Sequence, residues 1–201
     1  MTLTINCLGE AHIEDYLDRL PLFELKSSHN DYLRSRLEIE KYDAVIVRLK
    51  EYVKSFYQKN ICSPSENCRN NILFLEGNCP DELELMLANR GLKKELFNEI
   101  LWLDSERIYK MIRATERIIE DEVKTYFITE EREDYWFKVI NEYIISLRGD
   151  AALFVIHGLA HPTHPNSNFA KIRFLLGDKD LKMHRCNMSV DCFEQEIINL
   201  V

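Results

Sequence analysis

The sequence predicts an α/β fold: a small, mostly parallel β-sheet flanked by many α-helices. Three observations carry this. Short apolar runs at Thr2–Leu8, Ile72–Leu75 and Ala151–Ile156 read as strands. Long helical stretches separate them, and parallel strands need such crossovers. Only 6 Gly and 5 Pro occur in 201 residues, too few for a turn-rich β-sandwich. The length fits one domain, 1–201, with a helical insertion over about 80–147.

The elements follow in order. Thr2 to Leu8 alternates and runs apolar into Gly9, a short strand ending in a loop. Ile13–Leu20 reads as one or two helical turns closed by Pro21. Ser27-Ser28-His29-Asn30 precedes a helix over Tyr32–Lys41 as a capping cluster. Val45, Leu49, Tyr52, Val53 and Phe56 share a face, giving a helix from about Asp43 to Lys59. Cys62–Asn71 is a polar loop.

Ile72-Leu73-Phe74-Leu75 fits a buried strand closed by Glu76-Gly77. Pro80-Asp81-Glu82 opens a helix, with acids at the positive end of its dipole. Lys93–Ile128 reads as helical and charged. A further helix runs from about Glu130 to Leu147, with Tyr135, Val139, Tyr143 and Ile144 on one side, and Arg148-Gly149-Asp150 ends it. Ala151–Ile156 is the clearest buried strand. Pro162 and Pro165 then force an irregular loop. Phe169–Leu176 fits a strand or a helix, and Asp191–Leu200 a terminal helix.

Charge excludes one large class of function. With 26 basic and 34 acidic residues the net charge is −8, and no Lys/Arg run makes a basic patch. Such a surface repels phosphate backbones, so no nucleic-acid partner is expected. No apolar run approaches the ~20 residues that span a bilayer, so no membrane partner is expected either. The N-terminus has no basic region or long apolar core. We therefore expect a cytoplasmic protein with reduced thiols at Cys7, Cys62, Cys68, Cys79, Cys186 and Cys192. Their spacings match no zinc pattern.

Three strand ends carry residues of catalytic type. They read Leu8-Gly9-Glu10-Ala11-His12, Leu75-Glu76-Gly77 and His157-Gly158-Leu159-Ala160-His161. Two share the pattern Gly-x-x-His, where composition alone would give about 0.2 such pairs. Sites in parallel sheets lie beyond the carboxyl ends of the strands. Glu10, His12, Glu76 and His161 therefore converge on one pocket if these strands are neighbours. Two imidazoles with carboxylates make a metal site or a general acid–base site.

Other residues carry less. His157 is placed to face the opposite side of the sheet, and His164 sits in the Pro-bounded loop. His29 and His184 read as incidental. Tyr32, Tyr109 and Tyr135 are phenols of haem-ligand type but lie at helical core spacing. Cys62 and Cys68 read as loop residues.

The three motifs resemble the superfamily that unites erythromycin esterases, the ChaN haem-binding proteins and the TraB/Tiki proteins. The resemblance rests on Gly9-Glu10-Ala11-His12, Leu75-Glu76 and Gly158-Leu159-Ala160-His161, in that order across roughly residues 4–165. It also implies a functional Arg before the last motif, for which Arg132 is the candidate. Esterase-like members imply hydrolysis by a His acting on water. Tiki-like members imply a metal-dependent peptidase, and ChaN-like members a haem binder. One fold hosts all three functions, so the fold does not choose.

The expectation is a hydrolase of an ester or amide, acting on a small-molecule or peptide substrate. His12, His161, Glu10 and Glu76 would hold a divalent metal (Mn, Zn, Fe or Co), or one His would act as general base, with Arg132 stabilising an oxyanion. The alternatives are a haem or tetrapyrrole binder, and a non-catalytic acidic protein that binds a basic partner.

Overall fold

A computed structural model describes residues 2–10, 39–61, 70–115, 121–158 and 181–186. Five strands form one all-parallel sheet: β1 (Leu3–Glu10), β2 (Asn71–Leu75), β3 (Glu99–Trp102), β4 (Ala151–Gly158) and β5 (Leu181–Arg185). Their spatial order is β3-β2-β4-β1-β5. The described helices are α1 (Ile39–Ile61), α2 (Leu83–Asn89), α3 (Glu106–Thr115) and α4 (Asp121–Ser146). This is the α/β class the strand and helix pattern predicts.

Burial explains the strand sequences. β4 lies in the middle of the sheet and all eight of its residues are buried. A strand covered on both faces reads as a continuous apolar run, as Ala-Ala-Leu-Phe-Val-Ile does. Leu8, Leu73, Leu75, Phe154 and Ile156 pack on one face under Val53, Tyr57 and Ile61 of α1 and Leu87 of α2. Ile5, Cys7, Ile72, Phe74, Leu153 and Val155 pack on the other under Trp136 and Ile140 of α4. The chain thus leaves β2 toward one face and β3 toward the other. Such a reversal opens a crevice at the carboxyl ends of the strands.

Several boundaries differ from the sequence expectation. β1 continues through Glu10 and β4 through Gly158, so both Gly-x-x-His motifs begin inside strands. β3 lies within the stretch expected to be helical, and within the insertion over 80–147. It is a four-residue edge strand whose residues are exposed or half-buried, too short to interrupt the charged helical period around it. A 3-10 turn at Pro80–Glu82 leads into α2, with Pro in its first turn as expected. α1 is one helix where two were expected. Its buried ridge is Val53, Tyr57 and Ile61, at i, i+4 and i+8, which leaves Tyr52 47% exposed.

α4 starts about nine residues earlier than expected, at Asp121. Its buried seam is Arg132, Trp136 and Ile140, and Tyr135, Val139, Tyr143 and Ile144 flank it. Gly149, at φ +95°, closes the turn after it, where a side chain would be strained. β5 was not expected. Its alternation of Leu181 and Met183 with Lys182 and His184 marks an edge strand, but it spans only five residues. The segments expected at 13–20, 32–38, 169–176 and 191–200 lie outside the described residues.

Cys7, Cys79 and Cys186 form no disulfide; Cys7 and Cys186 are buried and Cys79 is half-buried. Burial pushes the Cys7 thiol well above its ordinary pKa. No described helix is long and apolar enough to cross a membrane.

Leu73 is wholly buried at the centre of β2. Leu73→Ala should cost about 2–5 kcal/mol of unfolding free energy, read from urea denaturation.

Candidate functional site

The site is built at the carboxyl ends of β2, β3 and β4. Glu76 follows β2 directly, and its backbone N–H still donates to the Ile156 carbonyl at 3.0 Å. Its side chain therefore extends from the rim of the sheet on the α4 face. There Oε1 meets Arg132 Nη1 at 2.8 Å. Oε2 accepts the backbone N–H of Gly158 at 2.5 Å. The carboxylate thus joins the ends of two neighbouring strands to α4.

Asp104 stands just past β3 and completes the arrangement. Its Oδ1 accepts Arg132 Nε at 2.8 Å and Trp136 Nε1 at 2.6 Å. Its Oδ2 accepts Arg132 Nη2 at 2.6 Å and the Gly77 N–H at 3.0 Å. The Asp104 carbonyl accepts Asn78 Nδ2 at 3.0 Å. Gly77 sits at φ +94°, and a Cβ there would meet nothing within 4 Å. Glycine is required for its backbone conformation, which turns its N–H toward Asp104. Trp136 contributes twice: it donates to Asp104, and the Arg132 guanidinium carbon lies 4.7 Å from its ring centroid.

Arg132, Asp104 and Glu76 are nearly removed from water, with side chains 10%, 0% and 15% exposed. Burial alone would lower the Arg132 pKa. The hydrogen bonds and charges of Asp104 and Glu76 outweigh burial and raise it, so Arg132 stays a cation. One guanidinium faces two carboxylates. Glu133, beside Arg132 on α4, is also buried.

The sequence-predicted residues divide into two groups. The structure joins Glu76 and Arg132 directly. It places the motif strands β1, β4 and β2 side by side, with Glu10 opposite Gly158 in the register. Only the backbone of Glu10 is among the described residues. His12 and His161 lie outside them, as do His29, His164, Tyr32, Cys62 and Cys68. His157 is buried on the α4 side of β4, and its Nδ1 donates to the Gly158 carbonyl at 2.8 Å. Tyr109 accepts a hydrogen bond from the Cys79 thiol, and Tyr135 packs against the α4-side core. Among the described residues no group of His, Cys, Asp and Glu is arranged to hold a metal ion.

Sequence reasoning missed Asp104 and Trp136. Their signal is present but short. Ile100-Leu101-Trp102-Leu103-Asp104 is an apolar run closed by an acid, the pattern of Ile72–Glu76. The charged helical period around it masks so short a run. Trp136 follows Arg132 by one helical turn.

No protein-family model, curated protein or solved structure matches the chain.

His184, on β5 opposite Leu8, has its Nε2 shielded without a hydrogen-bond partner among the described residues. Burial first, then the charges of Lys182 and Lys59, lower its pKa. The folded state therefore prefers neutral His184. Its contribution to stability is complete above the unfolded pKa near ~6.5 and is lost as pH falls toward the folded value. Melting temperature should fall between about pH 7 and 5, and His184→Gln should flatten that slope.

Removing one member of a buried ion network leaves the others uncompensated. Arg132→Met should cost about 3–5 kcal/mol by urea denaturation, far more than a surface arginine.

Proposed function

We propose that the protein hydrolyses an ester or amide bond at the carboxyl edge of the sheet. One observation carries the reading: the Arg132, Asp104 and Glu76 network is buried at the ends of three strands, and through Gly158 it grips the first residue of the Gly158–His161 motif. Burying charge is costly, and an apolar cluster would serve stability as well or better. Charge held at strand ends in this way fits a site whose geometry matters. The resemblance to the erythromycin esterase, ChaN and TraB/Tiki superfamily points to the same strand ends.

In this reading His161 or His12 acts as general base on water. Transfer of the water proton to an imidazole nitrogen supplies a hydroxide equivalent to the scissile carbonyl. Glu76 and Glu10 orient the imidazoles. Arg132 gives its donors to Asp104 and Glu76, so its part is to hold Glu76 in place.

Glu76 is a poor candidate for a metal ligand. Both its oxygens already accept hydrogen bonds, and one faces a guanidinium at 2.8 Å. A dication there would meet that positive charge at close range. A divalent-metal version of the site (Mn, Zn, Fe or Co) would rest on Glu10, His12 and His161.

The test pairs turnover of p-nitrophenyl esters and amides with elemental analysis, on the wild type and on His12→Ala and His161→Ala. We expect hydrolysis that falls at least about 10²-fold in each folded variant. Metal bound near one equivalent, and lost in both, would move the water onto that metal. Full activity in either variant overturns the mechanism. Absent turnover with a stoichiometric Soret band on adding haem would replace it with tetrapyrrole binding. Absent turnover with a co-purifying basic partner, indifferent to both substitutions, would replace it with a non-catalytic binder.

A further inference from the structure

We propose that Asp104, a residue outside every motif, is the positioning residue of this site. It fixes Arg132 so that Arg132 holds Glu76, and Glu76 in turn holds the Gly158 N–H from which the His161 motif continues. The inference rests on the hydrolase reading of the same strand ends.

Hydrogen-bond capacity sorts the three charged groups into roles. A carboxylate offers about four lone-pair sites. Asp104 fills that capacity with Arg132 Nε, Arg132 Nη2, Trp136 Nε1 and the Gly77 N–H. Its side chain is fully buried. It has neither room nor acceptor capacity for a substrate, so it acts only through its neighbours. Arg132 gives Nε and Nη2 to Asp104 as a planar fork and Nη1 to Glu76. A guanidinium held by two parallel bonds cannot rotate, so the direction of Nη1 is set by Asp104. Glu76 accepts one bond on each oxygen and is the most exposed of the three.

Charge gives the same assignment. With Arg132 paired to Glu76 alone, the guanidinium would neutralise the outward carboxylate. Asp104 supplies a second negative charge from the buried side, so Arg132 is shared and the group carries a net charge of about −1. Two of the anchoring residues, Asp104 and Trp136, lie outside the motifs. Asp104 comes from the end of β3, Trp136 from the seam of α4, and Gly77 from the turn after β2.

The test uses the full chain, labelled with nitrogen-15, as wild type, Asp104→Asn and Trp136→Phe. Asp104→Asn keeps the shape and removes the charge. Trp136→Phe removes one donor to Asp104 and no charge. Two quantities are read: the proton shift of the Gly158 amide, and kcat and KM for p-nitrophenyl acetate. The Gly158 amide donates to a carboxylate and should resonate far downfield in the wild type. In Asp104→Asn it should move upfield, while kcat falls about 10²-fold at nearly constant KM. Trp136→Phe should shift both in the same direction by less. It carries the test by itself if Asp104→Asn does not fold.

An unmoved Gly158 amide in a folded variant overturns the positioning role. So does a loss confined to KM. If the wild type does not turn over the ester, the hydrolase reading fails, and the amide shift still decides whether Asp104 controls Gly158 through Arg132 and Glu76.

Discussion

The architecture of the carboxyl edge depends on one buried cation. Arg132 lies between Asp104 and Glu76, which brings α4 to the ends of β2, β3 and, through Gly158, β4. Desolvating a guanidinium and two carboxylates is expensive, and only good geometry with further hydrogen bonds offsets it. The surroundings supply both. Trp136 Nε1 and the Gly77 and Gly158 N–H groups add neutral donors to the two carboxylates, and the Trp136 ring covers the guanidinium. Each of these partners requires a feature elsewhere: a positive-φ glycine after β2, an arginine and a tryptophan one helical turn apart, an acid just past β3. The network therefore constrains four segments of the chain together.

How far the sequence reveals this follows from length and burial. β4 was legible because it is covered on both faces and so must be continuously apolar. β2 was legible for the same reason. β3 and β5 are short edge strands with polar neighbours, and their periods are too brief to compete with a surrounding helical pattern. Glu76 and Arg132 could be picked out from motif order, and they meet in space. Asp104 could not, because its meaning depends on β3 being a strand. Periodicity also misjudged helix rotation. Tyr52 fits the expected face of α1 yet lies exposed, because the sheet selects the ridge of Val53, Tyr57 and Ile61.

The same geometry separates two jobs that the sequence assigned to one set of carboxylates. A metal ligand needs lone pairs facing a vacant position. A positioning carboxylate needs them filled by fixed donors. Asp104 is of the second kind throughout. Glu76 is of the second kind toward Arg132 and Gly158. The network is thus organised from the inside outward, from a saturated buried acid, through a shared guanidinium, to a carboxylate at the rim.

That order has an energetic consequence. Interactions that hold reacting groups in place accelerate chemistry only if they do not rearrange during it. A carboxylate at the rim of a sheet is ordinarily free to rotate about its side-chain torsions. Here one oxygen is tied to a side chain on α4 and the other to the backbone of β4, so rotation must break a charge-assisted bond on either side. The strand ends are rigid because their backbones are paired in the sheet, and α4 is rigid because Trp136 and Ile140 are in the core. The stability of the core is in this way transmitted to the orientation of Glu76. A substitution deep in the α4 seam should therefore disturb the rim before it unfolds the sheet.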